Sequence, residues 1–346
     1  MYRTKIFSLA LGLFAAGTAF AQVPKPAAPT ARELTLEKAM GHEEGWEDTR
    51  SGKHAKPVDI DINCNQPVGP NNSINAVLAR LDPLRAWTLD VSGTCKENVV
   101  VQSFENLTII AKPGASINDP SGGNFSVIDV ADTHEFSLQG FTINGGGVGI
   151  TCRDISVCRF SGNTVQGAAG DGIFVGRARA ILQGDTLQNN GFRGQAVING
   201  SLALAVGVTM QGNAAAGAGA GIGSTLIAQN VISQNNGGTG IGASDHSTLR
   251  LFDSTITGNP NAGVVVDRSS EARFDMNTTG NVITGNGGPG VLLRDLSFVR
   301  FASSDQITGN NVFNPGGVDV YCGPQFSATR GVFTSIGGGT TNCVEP

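Results

Sequence analysis

Apolar residues in this 346-residue chain recur in short alternating runs, not in helical stripes. The apolar residue of a T-I-x-x-N pattern returns at Ile143, Val165, Leu187, Met210, Ile232, Ile256, Ile283 and Ile307, at intervals of 22 to 27 residues. A second apolar position follows a glycine or alanine, at Ile150, Ile173, Val197, Ile222, Ile241, Val264, Val291 and Val318. A third precedes the first, at Leu138, Phe160, Leu182, Ala205, Ile227 and Leu251. Each repeat therefore predicts three short strands separated by turns.

A repeat built only of short strands cannot bury an apolar face alone. Stacking each repeat on the next pairs every backbone group with the coil above and below, and the result is a parallel β-helix, here of about nine coils. Leucine-rich repeats share the length but need a dense leucine pattern, and propeller blades need longer antiparallel hairpins. Two polar sets flank the turns: Asn190, Asn213, Asn235, Asn259, Asn286 and Asn310 after the first anchor, and Asn163, Asp185, Asn230, Ser254, Asn281 and Asp305 before it. Asn and Asp tolerate left-handed backbone, and stacked amides bond between coils, so these sets predict structural ladders. A bare strand edge must be covered. A helix over 73–82, opened by Ser73, with Ile74, Val77, Leu78 and Leu81 on one face and Pro83 after it, is the expected N-terminal cap.

The flanks and the cysteines place this solenoid. The first 21 residues, with Arg3 and Lys5 ahead of an apolar run and an Ala19-Phe20-Ala21 end, predict a signal peptide cleaved after Ala21. The expected location is secreted or periplasmic. Residues 22–57 are rich in Pro, Ala and alternating charge and predict a disordered leader or linker. Residues 58–97 form the expected N-terminal cap, 98–313 the coils and 314–346 a C-terminal cap. The six cysteines fall in three sequence-local couples, and proximity pairs Cys64 with Cys95, Cys152 with Cys158 and Cys322 with Cys343. A net charge of −5 over this length argues against nucleic acid, and no run after the signal region has the length of a membrane helix. The 49 glycines without a three-residue period argue for many tight turns. A monomer is expected.

On the repeat period, on SGTCKENVVVQSFENLTIIAKPGASI near the start and on DVYCGPQFSATRGV with GGGTTNC near the end, the sequence resembles the secreted right-handed parallel β-helix repeat proteins of bacteria. These share the pectate-lyase-like superfold. The resemblance implies right-handed coiling and leaves activity open, because the superfold hosts lyases, hydrolases, epimerases, esterases and adhesins.

Hydrolysis of a glycoside needs two carboxyl groups flanking one bond. Members of the resembling superfold that hydrolyse polygalacturonate cluster them at the start of the glycine-isoleucine strand, where this chain offers only Asp171. A uronan lyase or epimerase needs a cation, with calcium as the expected cofactor, and a base such as arginine. The charged residues that could serve are Arg153 with Asp154, Arg177, Arg179 and Arg193, with Arg159 beside them. Further pairs recur at the same turn: Asp245 and His246, Asp267 and Arg268, Arg294 and Asp295. Read blandly, these form a solvated salt ladder that pins register. Read sharply, Arg153, Asp154, Asp171, Arg177, Arg179 and Arg193 contact an acidic glycan. The expected function is that of an exported, non-catalytic protein that interacts with extracellular or cell-envelope polysaccharide and holds no cofactor. The alternatives are a polysaccharide lyase or epimerase acting on acidic glycans and a structural or adhesive surface rod.

Overall fold

In the computed structural model, residues 57–274, 278–313, 317–323, 331–332 and 337–343 are described. The signal peptide, residues 22–56 of the leader and most of the last 23 residues lie outside them.

The repeat folds as three parallel sheets wrapped around one core, and each coil contributes one strand to each sheet. The second and third sheets hold ten strands and the first holds twelve, so ten complete coils form where about nine are expected. The extra coils come from residues 86–131, whose strands Ala86–Ser92, Thr94–Lys96 and Val99–Gln102 open the first one. Every pairing between coils is parallel. The core is a continuous apolar column from Ile62 to Val320. With neighbouring strands about 4.8 Å apart, ten coils make a rod on the order of 45 Å long.

The cap at the start is a single helix, Ile74–Leu78, shorter than the pattern over 73–82 suggests. Its Ser73 hydroxyl accepts the Ala76 amide, and the residues after Ala79 turn away before Leu81. Ile74, Val77 and Leu78 are buried over the end of the core. Glu97 finishes the cap: its carboxylate accepts the Ile74 amide at 2.8 Å, the Asn75 amide at 2.9 Å and the Ser73 hydroxyl at 2.8 Å. The disulfides Cys64–Cys95, Cys152–Cys158 and Cys322–Cys343 close as proximity suggests. Among the described residues no helix is long and apolar enough to cross a membrane.

Backbone register corrects several anchors. In the second sheet Met210 pairs with Ser233, which is buried, so Ile232 faces out. Ser233 is tolerated in the core because its hydroxyl donates to Gly240 O at 2.8 Å. In the third sheet the inward position after Ile173 is Gln195 and then Ala218, not Val197 and Ile222. Val197 is inward two residues further along its strand, while Ile222 is exposed in a turn at φ +55°. At the end of that sheet Val320 takes the place expected of Val318. In the first sheet Ala228, not Ile227, follows Ala205.

The cause is the amide ladder between the second and third sheets. It runs Asn190, Asn213, Asn236, Asn259, Asn286 and Asn310, with Asn236 in place of Asn235. Each amide nitrogen donates to the next asparagine's Oδ1 at 2.9 to 3.1 Å. A glycine column, Gly172, Gly194, Gly217, Gly240, Gly263 and Gly290, packs against those amides, and a Cβ there would come within 2.6 to 3.2 Å of an Asn Nδ2. A glycine in this column marks the true start of each third-sheet strand. The second polar set also forms, with Val208 and Val231 interrupting it and Asn230 left in an exposed turn.

Candidate functional site

The charged row lies at the turn that leads from the third sheet back to the first. Two residues there often share left-handed backbone, as in Asp154–Ile155, Asp245–His246, Arg268–Ser269 and Asp295–Leu296, and this throws the charged side chains outward. On the inner side of the turn a serine column, Ser201, Ser224, Ser247, Ser270 and Ser297, is buried, and each hydroxyl accepts an amide of the coil before. Ser156 does the same for Thr133. The backbone of this corner is thus satisfied from within, and its charges are free of that duty.

Those charges pair coil to coil. Arg153 grips Asp129 with two nitrogens, at 2.9 and 3.0 Å, and also meets Asp154, which in turn meets Arg177. Arg268 reaches back to Asp245 at 3.0 Å and Arg294 to Asp267 at 2.9 Å. Hydrogen bonds from Arg177 and then Arg153 hold the Asp154 carboxyl below its usual range. The hydrogen bond to Asp129 holds Arg153 firmly protonated. The row is an ion-pair ladder, interrupted by turns that lack a charge.

The six expected contact residues divide between two edges. Arg153, Asp154 and Arg177 cluster at the C-terminal edge of the third sheet, and Arg179 follows around the corner on the outward face of the first sheet, exposed. Asp171 and Arg193 sit at the other end of the third-sheet strands, roughly 13 Å away along the strand. There Asp171 is only 7% exposed and is clamped by Arg193 Nε at 2.9 Å, Nη2 at 3.2 Å and the Arg193 amide at 3.2 Å. The Arg193 guanidinium stacks 4.7 Å over the Phe192 ring. That pair is closed, so the accessible cluster is Arg153, Asp154, Arg177 and Arg179, with Arg159 one coil below on the first sheet.

One arrangement escaped the sequence reading. Up the outward face of the first sheet a single row runs Ser137, Arg159, Ile181, Leu204, Ile227, Arg250, Arg273 and Arg300. Three aliphatic residues are bracketed by arginines at both ends. The signal was present: Arg250, Arg273 and Arg300 each precede a core residue, in RLF, ARF and VRF, and step with the coils. Among the described residues, one group has metal-binding spacing, Cys64, Cys95 and Glu97. Its sulfurs are joined to each other and its carboxylate holds the capping helix, so it does not suit a cation.

Residues 126–279 match the family described as "Right handed beta helix region". Among solved structures the chain is similar to the A-module of the Azotobacter vinelandii mannuronan C-5 epimerase AlgE4, with a TM-score of 0.56 and 12% identity over 68% of this chain and 72% of that one. It is similar to pectate lyase Pel9A, with a TM-score of 0.51 and 13% identity over 76% and 82%. The A-module of the Azotobacter vinelandii epimerase AlgE6 gives a TM-score of 0.51 and 13% identity over 78% and 92%. No curated protein matches the chain in sequence.

Proposed function

Starting from a right-handed parallel β-helix with a pectate-lyase-like fold, we propose that this protein is exported and binds an acidic polysaccharide without cleaving it. The binding surface is the corner formed by Arg153, Arg177, Arg179 and Arg159. The observation that carries the reading is the local charge: four arginines on two adjacent coils stand against three aspartates, Asp129, Asp132 and Asp154. The Arg177 side chain is 69% exposed and that of Arg153 42%, so both present donors to solvent while held in place. A fixed guanidinium suits a carboxylate, because its forked donors match the two oxygens.

Further observations bear on catalysis and on the ligand. Of the acids beside the cluster, Asp129 and Asp154 are engaged by arginine, Asp171 is clamped by Arg193, and Asp132, stacked beneath Asp154, accepts the Ser103 hydroxyl at 3.1 Å. A general acid or base must be able to exchange its proton with the substrate. The neighbours in fold act, by name, on mannuronan and pectate, both anionic sugar polymers. Export is supported by the signal-like first 21 residues and by three disulfides, which persist in oxidising compartments.

The test is size-exclusion chromatography of polymannuronate and polygalacturonate with and without the mature protein, in calcium and in chelator. The expected result is co-migration of unshortened polymer, weakened by salt and reduced about tenfold in affinity by Arg177→Ala with Arg179→Ala. Shortened polymer, or recovered polymer whose proton NMR spectrum shows inverted C-5 centres, overturns the non-catalytic reading. No co-migration with any acidic polymer overturns the binding reading and favours a structural rod.

A further inference from the structure

The outward face of the second sheet is uncharged along almost its whole length. The last nine of its ten strands, from Ser116–Asn118 to Gln306–Ile307, contain no charged residue. One outward row there is of hydroxyls, Thr142, Thr164, Thr186 and Thr209. The other is of amides, Asn118, Asn144, Gln166, Gln188, Gln211 and Gln234, and from Asn144 on each donates a side-chain N–H to the oxygen of the one before, at 2.7 to 2.9 Å. Both rows are partly exposed.

Stability does not call for this outer ladder. The buried asparagines at the edge of the sheet already set register, and a neutral hydrogen bond beside water replaces one that water would make. What the outer bonds do is fix orientation. An amide has two N–H groups and two lone pairs, so Gln166, Gln188 and Gln211 each keep one donor and one acceptor for a partner, in a line with a repeat of about 4.8 Å. Where these strands turn toward the third sheet, two rings stand out of the surface. Phe125 is 66% exposed and Phe192 48%. They belong to one column of the turn, Phe125, Gly147, Gly170 and Phe192, linked amide to carbonyl at 2.8 to 3.0 Å, so about 14 Å of glycine backbone without side chains separates them. Fixed donor and acceptor pairs, hydroxyls and exposed rings, all without charge, are the groups that suit an uncharged sugar: an amide bridges neighbouring hydroxyls, and a phenyl face takes the C–H face of a pyranose.

We propose that the outward face of the second sheet binds an extended neutral polysaccharide, the chain lying along the rod on the amides from Gln166 to Gln211 with the corner rings at its flank. The coil repeat is close to the length of one sugar in an extended 1,4-linked chain, so successive sugars meet successive amides. Because the amides are held before the ligand arrives, little is lost in ordering them. The face shares no residue with the arginine corner and binds whether or not that corner does.

The test mixes the mature protein with insoluble cellulose, chitin and linear mannan and measures the fraction that sediments with each. The expected result is retention on at least one of them, insensitive to salt because no charge is involved. Gln188→Ala with Gln211→Ala is expected to lower that affinity about tenfold, and Phe192→Ala to lower it by a smaller factor, with behaviour toward polymannuronate unchanged. Thr186→Lys keeps the ladder but lays a charged stem across the face, and is expected to abolish retention should the amide variant misfold. Retention on none of the three polymers overturns the proposal, as does retention that the amide and lysine variants leave intact. So does a mature protein that is a dimer by light scattering and a monomer as Thr186→Lys, because a second copy then occupies the face.

Discussion

Two corners of the coil stack like on like, and they do so to opposite ends. Between the second and third sheets, asparagines climb the stack inside the protein, buried from Asn190 to Asn286 and bonded from coil to coil. Between the third sheet and the first, the outer row is arginine and aspartate in water, over a serine column that already satisfies the backbone. A buried polar group that lacks its partner costs far more than a made bond contributes, whereas an exposed ion pair trades against solvent. The first corner is therefore bound to the fold, and the second is available for something else.

The sharpest way to break that contrast is to remove one rung inside. Asn213 accepts the Asn190 amide and side chain at 3.2 and 2.9 Å and donates to Leu187 O and Asn236 Oδ1 at 3.0 and 2.9 Å. Asn213→Ala leaves several buried groups without partners, and the expected loss is about 4 kcal/mol by denaturant unfolding. A loss below 1 kcal/mol would mean that water replaces the amide and that the ladder is not what fixes register.

The ladder on the other side of the second sheet holds a titratable rung. Burial pushes the Asp185 carboxyl up to about 7 from an ordinary 3.8, against the opposing pull of the Asn163 amide bonds. The folded chain then keeps a proton that the unfolded chain has released, so this group's contribution is full below about pH 4 and is lost as pH rises towards 7. Asp185→Asn should flatten that dependence, with the variant more stable than the parent at about pH 8 by on the order of 3 kcal/mol. Its new amide is expected to donate to Phe160 O, as Asn163 and Asn281 do to Leu138 O and Leu251 O in the equivalent rungs, at the cost of the Gln183 amide that Asp185 Oδ2 accepts at 3.0 Å. An unchanged slope of stability against pH between 4 and 7 would show that Asp185 stays ionised.

How much of this was legible follows from which signal was chosen. Apolar periodicity sufficed for the architecture, because in most coils the inward residue is the most apolar one nearby. It failed where a core position is polar or small. Ser233, Gln195, Ala218 and Ala228 lose to Ile232, Val197, Ile222 and Ile227 on hydrophobicity, but the amide ladder and its glycine column outrank them. Gln195 is the clearest case: it is buried in the core with neither amide atom partnered, so nothing in its own chemistry announces an inward side chain. The charged turn was readable as a row, since charge pairs step with the coils. The arginine and aliphatic row on the first sheet was not, because it joins residues of seven different repeats through a register that the misplaced Ile227 had broken.

The smallest expected effect is also the one that best separates the two corners. Arg268 and Asp245 pair at 3.0 Å in much the same geometry as the pairs around Arg153, with the Arg268 side chain 60% exposed. Their mutual hydrogen bond raises the Arg268 pKa, yet solvent competes for both partners, and a screened pair contributes little. Arg268→Ala should leave the melting temperature unchanged within error, in low salt and in high. Since Arg268 stands several coils above the arginine-rich corner, it should also leave binding to acidic polymer unchanged, while the Arg177 and Arg179 pair lowers it. If Arg268→Ala destabilises the rod as strongly as a missing asparagine, the outer row is structural and the arginine surplus around Arg153 loses its meaning as a binding surface. If the melting temperature holds and only the lower arginines matter for polymer, charge at this corner follows the ligand and not the fold.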